Sequence, residues 1–178
     1  MNQKLSMEEL GRISETEFKK KKKLPIIIVL DNLRSAYNVG SVFRTADAFA
    51  ISAIYLIGIT ATPENKEVIK TSLGAEKSIE WRYFKTASEC IELLKQTNTL
   101  IYCIEQTTNS LVLDCFTPKS EFRSAFIFGN EVKGVSEFLI NHSDACIEIP
   151  QFGTKHSFNV SVTAAIVLWD YFIKTKRP

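Results

Sequence analysis

The sequence predicts an α/β fold in which a mostly parallel sheet is flanked by helices. Residues 26–30 form a continuous, largely β-branched run, which is typical of a strand buried on both faces of a parallel sheet. Residues 38–50 then place apolar side chains at helical spacing. Apolar strand-like segments keep alternating with helical ones along the chain, as the crossover connections of a parallel sheet require.

The remaining elements follow in the same order. Residues 1–23 are polar and rich in lysine, and we predict an arm or a short helix there. Thr86 and Glu89 have capping-box spacing, so a helix should begin at that point and run to about residue 96. The other predicted strands are 54–57, 81–84, 100–104, 125–128 and 146–149, and the other predicted helices are 64–71, 136–141 and 159–174.

Length and composition fit one globular domain, residues 24–178, behind the segment 1–23. The chain has 178 residues, of which 45% are hydrophobic and 24% charged, and this excludes wholesale disorder. No apolar run approaches the roughly 20 residues that cross a bilayer. The N-terminus has no apolar core of a signal peptide, so we expect a cytoplasmic protein.

The four cysteines show no metal-ligand spacing, so we predict no metal and expect buried thiols. They are Cys90, Cys103, Cys115 and Cys146.

The charge is uneven along the chain. Residues 1–23 carry a net charge of +3, and because the total is +2, the rest of the chain nets −1. Five consecutive lysines, Lys19 to Lys23, lie directly before the first predicted strand. This run is either a solvated linker or a flexible arm that binds phosphate backbones, and the sequence leaves both interpretations open.

Ligands of open parallel sheets bind at the carboxyl ends of the strands, so function is expected in the loops that follow them. In the first loop Asn38 is a good helix N-cap. Arg44 lies six residues later in an apolar helix pattern, and a charge on a partly buried helix should have a partner. The other candidate loops are 58–63, 105–110, 129–135 and 150–158.

Two later loops combine glycine with polar residues. Residues 129–134 end a strand in Gly-Asn-Glu and close with Gly134, and such glycines allow the backbone to approach a ligand closely. In the last loop Ser157 and Asn159 are natural caps for the helix that follows. That helix, 159–174, is apolar almost all round and must be buried, which in a small domain indicates a subunit interface.

The usual signatures of several enzyme classes are missing from the sequence. It contains neither GxGxxG nor GxxxxGK[ST], the two common nucleotide cradles, and this argues against a generic Rossmann oxidoreductase. It also lacks HExxH and GxSxG.

Taken together, the three loops resemble the signature motifs of the SpoU-type, TrmH-like RNA ribose 2′-O-methyltransferases of the SPOUT superfamily. The resemblance runs from about residue 25 to residue 174 with the motifs in the right order. Asn38 and Arg44 match the first motif, N-x-G-x-x-x-R, and residues 129–134 match the second. Residues 157–161 match the third, although the family more often has leucine where this chain has Phe158.

The resemblance implies a sheet whose C-terminal part is threaded into a deep trefoil knot, a rare exception to the rule against knots. It also implies a homodimer that packs through the knot region and helix 159–174, with an RNA site that spans both subunits. The knot loops would bind S-adenosylmethionine, with cofactor contacts expected from Glu105, Gln106, Thr107, Gly129, Asn130, Gly134, Ile149, Ser157 and Phe158.

The chemistry implied by the resemblance is in-line attack of a ribose 2′-oxygen on the sulfonium methyl group. Arg44 corresponds to the family's catalytic arginine, which has been proposed as the base; because guanidinium stays protonated, we expect it instead to clamp a phosphate and to stabilise alkoxide charge. Glu131 would orient Arg44 or Asn38. Ser157 and Asn159 would shape the pocket between the cofactor and the ribose.

Two other functions remain open on the same fold. One is methylation of a base instead of the ribose, against which the Asn38 and Arg44 motif argues. The other is a catalytically silent RNA-binding or assembly factor. The RNA itself could be tRNA or rRNA, and we favour tRNA slightly because a compact dimer can clamp one stem-loop.

Overall fold

The computed structural model describes residues 2–6, 8–11 and 13–176. Arg12, which is counted above in the basic N-terminal segment, lies outside them. Within the described residues the strands are β1 Leu24–Asp31, β2 Ile51–Ile57, β3 Glu80–Phe84, β4 Thr99–Ile104, β5 Leu111–Val112, β6 Arg123–Phe128 and β7 Ala145–Glu148. The helices are α1 Glu15–Lys20, α2 Ala36–Ala48, α3 Lys66–Ser72, α4 Ala75–Ser78, α5 Ala87–Gln96, α6 Glu137–His142 and α7 Val160–Lys176, with a 3-10 turn at Leu113–Cys115.

The described strands form one seven-stranded sheet in the order β3-β2-β1-β6-β4-β7-β5, and every neighbouring pair is parallel. The prediction of a mostly parallel sheet flanked by helices is thus confirmed. The carboxyl ends of the central strands β1, β6 and β4 therefore lie along the same edge of the sheet, which is the edge where ligands are expected.

Helices cover both faces of the sheet, and this explains why β1 is apolar without alternation. Ile26, Ile28 and Leu30 pack into the cluster formed with α2 and α7, whereas Ile27 and Val29 pack into the cluster formed with α5 and α6. Successive side chains of a strand point to opposite faces, so a strand covered on both sides has no solvent position to fill with polar residues.

Short elements escaped the sequence analysis. The helix α4, the two-residue strand β5 and the 3-10 turn were not predicted, because elements of two to four residues show no periodicity. The capping box at Thr86 and Glu89 is confirmed. The N-cap assignment of Asn38 was wrong, since α2 begins after Ser35, whose hydroxyl accepts a hydrogen bond from the Asn38 amide at 3.3 Å.

The C-terminal helix α7 is buried on one side only within a single chain. Ala164, Val167 and Leu168 pack into the core, but Val162 is 48% exposed and Trp169 is 53% exposed. The predicted subunit interface stays a prediction, and the exposed side of α7 is the surface that such an interface would cover. Within the described residues no helix combines the length and apolar character that crossing a membrane would demand.

The cysteines divide into two classes. Cys90, Cys103 and Cys146 are buried as predicted, whereas Cys115 is exposed at the end of the 3-10 turn that the sequence did not reveal. Burial raises the pKa of the Cys90 thiol, and likewise that of Cys103, to about 12. The thiols of Cys90 and Cys103 are therefore almost wholly protonated at neutral pH, and burial shields all three buried thiols from reagents.

We predict that the native protein has a single thiol that reacts quickly with an aromatic disulfide at pH 8, and that this thiol is Cys115. The hydrogen bond to Asp114 raises the pKa of the Cys115 thiol and so slows its reaction with the disulfide. Its exposure nevertheless allows the reagent to reach the sulfur, which burial prevents at the other cysteines. Stopped-flow titration should show one fast thiol in the native state and four after unfolding. The Cys115→Ser variant should lose the fast phase, and a persisting fast phase would refute the assignment.

Candidate functional site

A polar network connects the loops that follow β1 and β6. The carboxylate of Glu131 accepts hydrogen bonds from the backbone amides of Arg34 and Ser35, at 2.9 and 3.0 Å. It also accepts one from the Asn38 side-chain amide at 3.1 Å. Glu131 therefore caps the approach to α2 and fixes the Asn38 side chain at the same time, because its two oxygens reach backbone and side-chain donors together.

The network continues to the loop before α7. The Asn159 side-chain amide donates to Asn38 Oδ1 at 3.1 Å. Asn159 Oδ1 accepts from the Ser161 amide at 2.9 Å and from the Ser161 hydroxyl at 2.7 Å, so Asn159 caps α7 as the sequence predicted. Glu131, Asn38 and Asn159 thus form one hydrogen-bonded chain between residues far apart in sequence.

The Glu131 carboxylate is held in its charged form. Partial burial raises its pKa, but hydrogen bonds from the Arg34 amide, from the Asn38 side chain and from the Ser35 amide outweigh burial. The net result is a pKa below the ordinary value of 4.5. A charged acceptor is what oriented backbone amides at the start of a helix prefer, so the network is intact at neutral pH.

Arg44 does not join this network. Its side chain is exposed, and within the described part of the chain it makes no hydrogen bond or ion pair, so the expected partner is missing. Arg44 lies six residues after Asn38, and at about 100° per residue the two project from different sides of α2. Of the two residues that Glu131 was expected to orient, Arg44 or Asn38, the one hydrogen-bonded to it is Asn38.

A cleft of about 810 Å³ opens beside the network at the carboxyl ends of β4, β6 and β7. Of the residues predicted to hold a cofactor, Thr107 is not among those that line it; its carbonyl accepts the Ser110 hydroxyl at 3.0 Å in a local turn. The other predicted residues all line the cleft: Glu105, Gln106, Gly129, Asn130, Gly134, Ile149, Ser157 and Phe158.

Two glycines let the walls of the cleft come together. A Cβ at Gly129 would overlap the backbone of Gly134 and Val135, and a Cβ at Gly134 would overlap the Glu105 carboxylate. Gly134 also has a φ of +70°, which side-chain-bearing residues rarely adopt. Glu105 uses this space to accept hydrogen bonds from the Val135 amide at 2.8 Å and the Gln106 amide at 3.0 Å, and so joins two loops.

The sequence analysis missed a buried pair at the end of β1. Asp31 is 1% exposed and accepts hydrogen bonds from the Ser136 amide at 2.9 Å and the Asn32 side chain at 2.8 Å. The Asn32 carbonyl accepts the Asn130 side-chain amide at 2.7 Å. The sequence does contain a signal for this contact, since the Asp31 carboxylate follows directly after five buried apolar residues. A carboxylate in such a position is buried and must be hydrogen-bonded.

The lining of the cleft combines apolar walls with carboxylates. Ile104, Ile140 and Ile147 provide flat apolar surface, and the acidic side chains outnumber the basic ones, which favours a ligand with a ring and a positive charge. The volume lies within the range of small-molecule sites. Among the described residues no cluster of metal-ligating side chains was found.

Sequence comparison agrees with this geometry. A family profile described as the SpoU rRNA Methylase family matches residues 25–169. A relative from Neisseria meningitidis serogroup B, named 23S rRNA (guanosine-2'-O-)-methyltransferase RlmB, is 30% identical over 81% of this chain and 56% of its own length. The chain thus spans little more than half of that relative.

Solved structures share the fold. A TrmH/SpoU tRNA modifying enzyme of A. aeolicus superposes with a TM-score of 0.79 at 21% identity, over 91% of this chain and 82% of that one. An AdoMet-bound rRNA methyltransferase from Sinorhizobium meliloti superposes with a TM-score of 0.80 at 22% identity, over 89% of this chain and 60% of that one.

The lowered pKa of Glu131 predicts a pH-dependent contribution to stability. A depressed folded-state pKa stabilises the protein above the unfolded value of 4.5 and ceases to do so as the pH falls through the folded value. Glu131→Gln should therefore lower the free energy of unfolding at pH 7, by about 1 kcal/mol from weakened hydrogen bonds. The difference from the wild type should shrink below pH 4.5.

Urea denaturation between pH 3 and pH 7 measures this difference. Glu137→Gln is the matched control, because Glu137 lines the same cleft but accepts no hydrogen bond among the described residues. Its unfolding free energy should follow that of the wild type. A Glu131→Gln deficit that stays constant at every pH would show that the charge of the carboxylate is not what holds the loops.

Proposed function

The chain belongs to the SpoU rRNA Methylase family, and from this premise we propose that it transfers a methyl group from S-adenosylmethionine to a ribose 2′-hydroxyl of a structured RNA. The observation that carries the proposal is the hydrogen-bonded chain Glu131–Asn38–Asn159 at the rim of the cleft. It joins one polar residue from each of the three motifs beside a cleft that can hold the cofactor, and this combination favours an enzyme over a silent assembly factor.

The cleft suits the proposed methyl donor. Gly129 and Gly134 let the backbone segments of its wall approach each other and Glu105, and Ile149 and Phe158 are apolar surfaces on which an adenine ring can rest. The surplus of carboxylates favours a cationic ligand. When bound, S-adenosylmethionine supplies a methyl group that its sulfonium already activates. The protein then has to align the ribose oxygen and dispose of its proton.

We assign Arg44 the role of a fixed cation. A guanidinium group stays protonated in proteins and cannot accept the hydroxyl proton, but it can bind a phosphate and stabilise developing alkoxide charge. Its exposed, unpaired side chain is open to a bound RNA. A phosphate oxygen or a water would take the proton. Asn38 and Asn159, held by Glu131, shape the space between donor and ribose, with Ser157 on the same wall.

We extend the proposal to a homodimer that packs through α7. Val162 and Trp169 leave apolar surface exposed on that helix, and the ring of Phe49 extends the same patch, 6.5 Å from the Trp169 ring. Contiguous apolar surface of this kind marks an interface. Arg44 then lies near the junction of the two subunits, in line with an RNA site to which both contribute.

We also propose that the C-terminal part is threaded as a trefoil knot. Two features support it. In the sheet β7 lies between β4 and β5, so the chain must pass across β4 after leaving β6. The Lys174 ammonium donates to the carbonyls of Leu113 and Phe116, at 2.6 and 2.8 Å, and so ties α7 to the segment that follows β5.

Methyl transfer to purified RNA tests the proposed function. Labelled S-adenosylmethionine should transfer its methyl group to either the tRNA or the rRNA pool, and nuclease digestion should return a 2′-O-methylated nucleoside. Label on a base would replace the proposal with base methylation. Failure to bind S-adenosylmethionine in a calorimeter would identify a silent RNA-binding factor instead.

Arg44→Ala should reduce turnover at least about a hundredfold, as the loss of one electrostatic donor does elsewhere. Affinity for S-adenosylmethionine should stay nearly unchanged, because Arg44 does not line the cleft. Single-turnover kinetics and calorimetry measure the two quantities. Arg82→Ala, which removes an exposed arginine on the edge strand β3, should leave turnover intact. Near-normal turnover in Arg44→Ala would remove Arg44 from the catalytic assignment.

A further inference from the structure

The lysine run begins on a helix that is fixed to the body of the protein: Lys19 and Lys20 end α1, Lys21 is its C-cap, and Lys22 and Lys23 link it to β1. Ser14 and Glu17 form a capping box at the start of α1, with the Glu17 amide donating to the Ser14 hydroxyl at 3.3 Å. Phe18 is only 8% exposed and packs into the main core cluster, and α1 lies against α4. The Lys23 ammonium lies 2.8 Å from the centre of the Phe18 ring. The chain around the lysines is thereby anchored on both sides.

Lys19, Lys20, Lys21 and Lys22 are all exposed, and none of them has an ionic partner among the described residues. In the part of the chain that the structure describes, the one ion pair is Lys174 with Asp170 at 2.8 Å. Glu17 is the nearest carboxylate in sequence on α1, and its Oε2 accepts hydrogen bonds from the Ser14 amide at 2.8 Å and the Ser14 hydroxyl at 2.7 Å. Four adjacent cations without counter-charges repel each other, and a polyanion relieves that repulsion.

This cluster lies at the edge of the sheet opposite to the cleft. Lys23 directly precedes β1, whereas Asp31 ends β1 beside the candidate site. Eight strand residues at about 3.3 Å each separate the two edges by roughly 26 Å. No single nucleotide can touch both places, but a duplex can, since about eight base pairs at 3.4 Å each cover that distance.

We propose that Lys19–Lys22 form a second, pre-ordered RNA contact surface, which binds backbone phosphates of the same RNA about one stem length away from the nucleotide in the cleft. The proposal rests on the proposed function and adds a requirement for RNA size to it. Because the helix is already folded and docked, binding loses less conformational entropy than a disordered arm would lose. This surface recognises the charge of the phosphates and the length of the RNA helix, and it does not distinguish base sequences.

An anionic lipid surface is the less favoured partner of the same cluster. Helices that lie in a membrane interface need an apolar face to insert. In α1 the single large apolar side chain is Phe18, and it is already committed to the core. The exposed side chains of Leu10 and Ile13 lie before α1 and outside the lysine cluster. The cluster itself thus offers charge but no inserting side chain, which fits a phosphate backbone better than a bilayer.

The test compares two variants with the same loss of charge. The first is K19Q/K20Q/K21Q/K22Q. The matched control is K66Q/K85Q/K95Q/K119Q, which neutralises four exposed lysines on other elements. Folded bulk tRNA and a hairpin with a stem of about four base pairs serve as probes, since the hairpin stem covers only about 14 Å at 3.4 Å per base pair. Binding is measured against salt, with cofactor affinity recorded in parallel.

The first variant should bind tRNA at least about tenfold more weakly at low salt, and its plot of log affinity against log salt should flatten by about 3, for four lost phosphate contacts at 0.7 to 0.9 each. Its affinity for the short hairpin and for S-adenosylmethionine should not change. Phe18→Ala, which frees the helix but keeps its charge, should also weaken tRNA binding. The control variant should bind tRNA nearly as the wild type does.

Several outcomes would overturn the inference. Unchanged tRNA binding in the first variant would make the lysines a solvated linker. An equal loss in the control would show that net charge alone matters, and an equal loss on the hairpin would place the contact near the cleft. Retained tRNA binding with lost binding to phosphatidylserine vesicles would assign the cluster to membranes. If the wild type methylates RNA while any of these holds, the further inference fails and the proposed function stands.

Discussion

The carboxylate of Glu131 is the constraint on which the site depends. It accepts two backbone amides at the start of α2 and the side chain of Asn38, and Asn38 in turn accepts the amide of Asn159. The loops after β1, β6 and β7 therefore meet through a few side chains instead of through a packed apolar core. Loops at strand ends lack the burial that orders a sheet, so directional hydrogen bonds must define their geometry.

The glycines and the buried pair at the end of β1 complete that arrangement. Gly129 and Gly134 allow two backbone segments to approach, and Glu105 fills the gap with a carboxylate that binds amides of both neighbouring loops. Asp31 and its neighbour tie the end of β1 to the start of α6. The cleft is thus pre-formed by protein contacts, as a site that binds its ligand without reorganisation should be.

The sequence predicted the sheet well because apolar periodicity reports which surfaces are buried. It could not predict α4 or β5, because both are too short to show a period. It also could not predict the exposure of Cys115, because that residue lies on an unpredicted 3-10 turn between β5 and β6. The motif residues Asn38, Glu131 and Asn159 were identified in advance. Their hydrogen bonds were not, because spacing along the chain does not determine which side chains meet across loops.

The surroundings of Arg44 were also not predictable from the sequence. Its position in the motif was evident, yet its exposure and the absence of a partner among the described residues were not, because spacing along the chain does not determine which side chains meet. The division of charge is consistent with this placement. Carboxylates line the cleft, whereas Arg44 and Lys19–Lys22 are exposed on the outer surface, where a polyanion can reach them.

The three loops are joined through Asn38, and we expect them to act as one unit. A double-mutant cycle with Asn38→Ala and Asn159→Ala, read out as the free energy of S-adenosylmethionine binding, tests this coupling most directly. We expect a coupling energy of about 1 kcal/mol or more, as for residues of one hydrogen-bonded network. Strictly additive effects of the two substitutions would contradict the coupling.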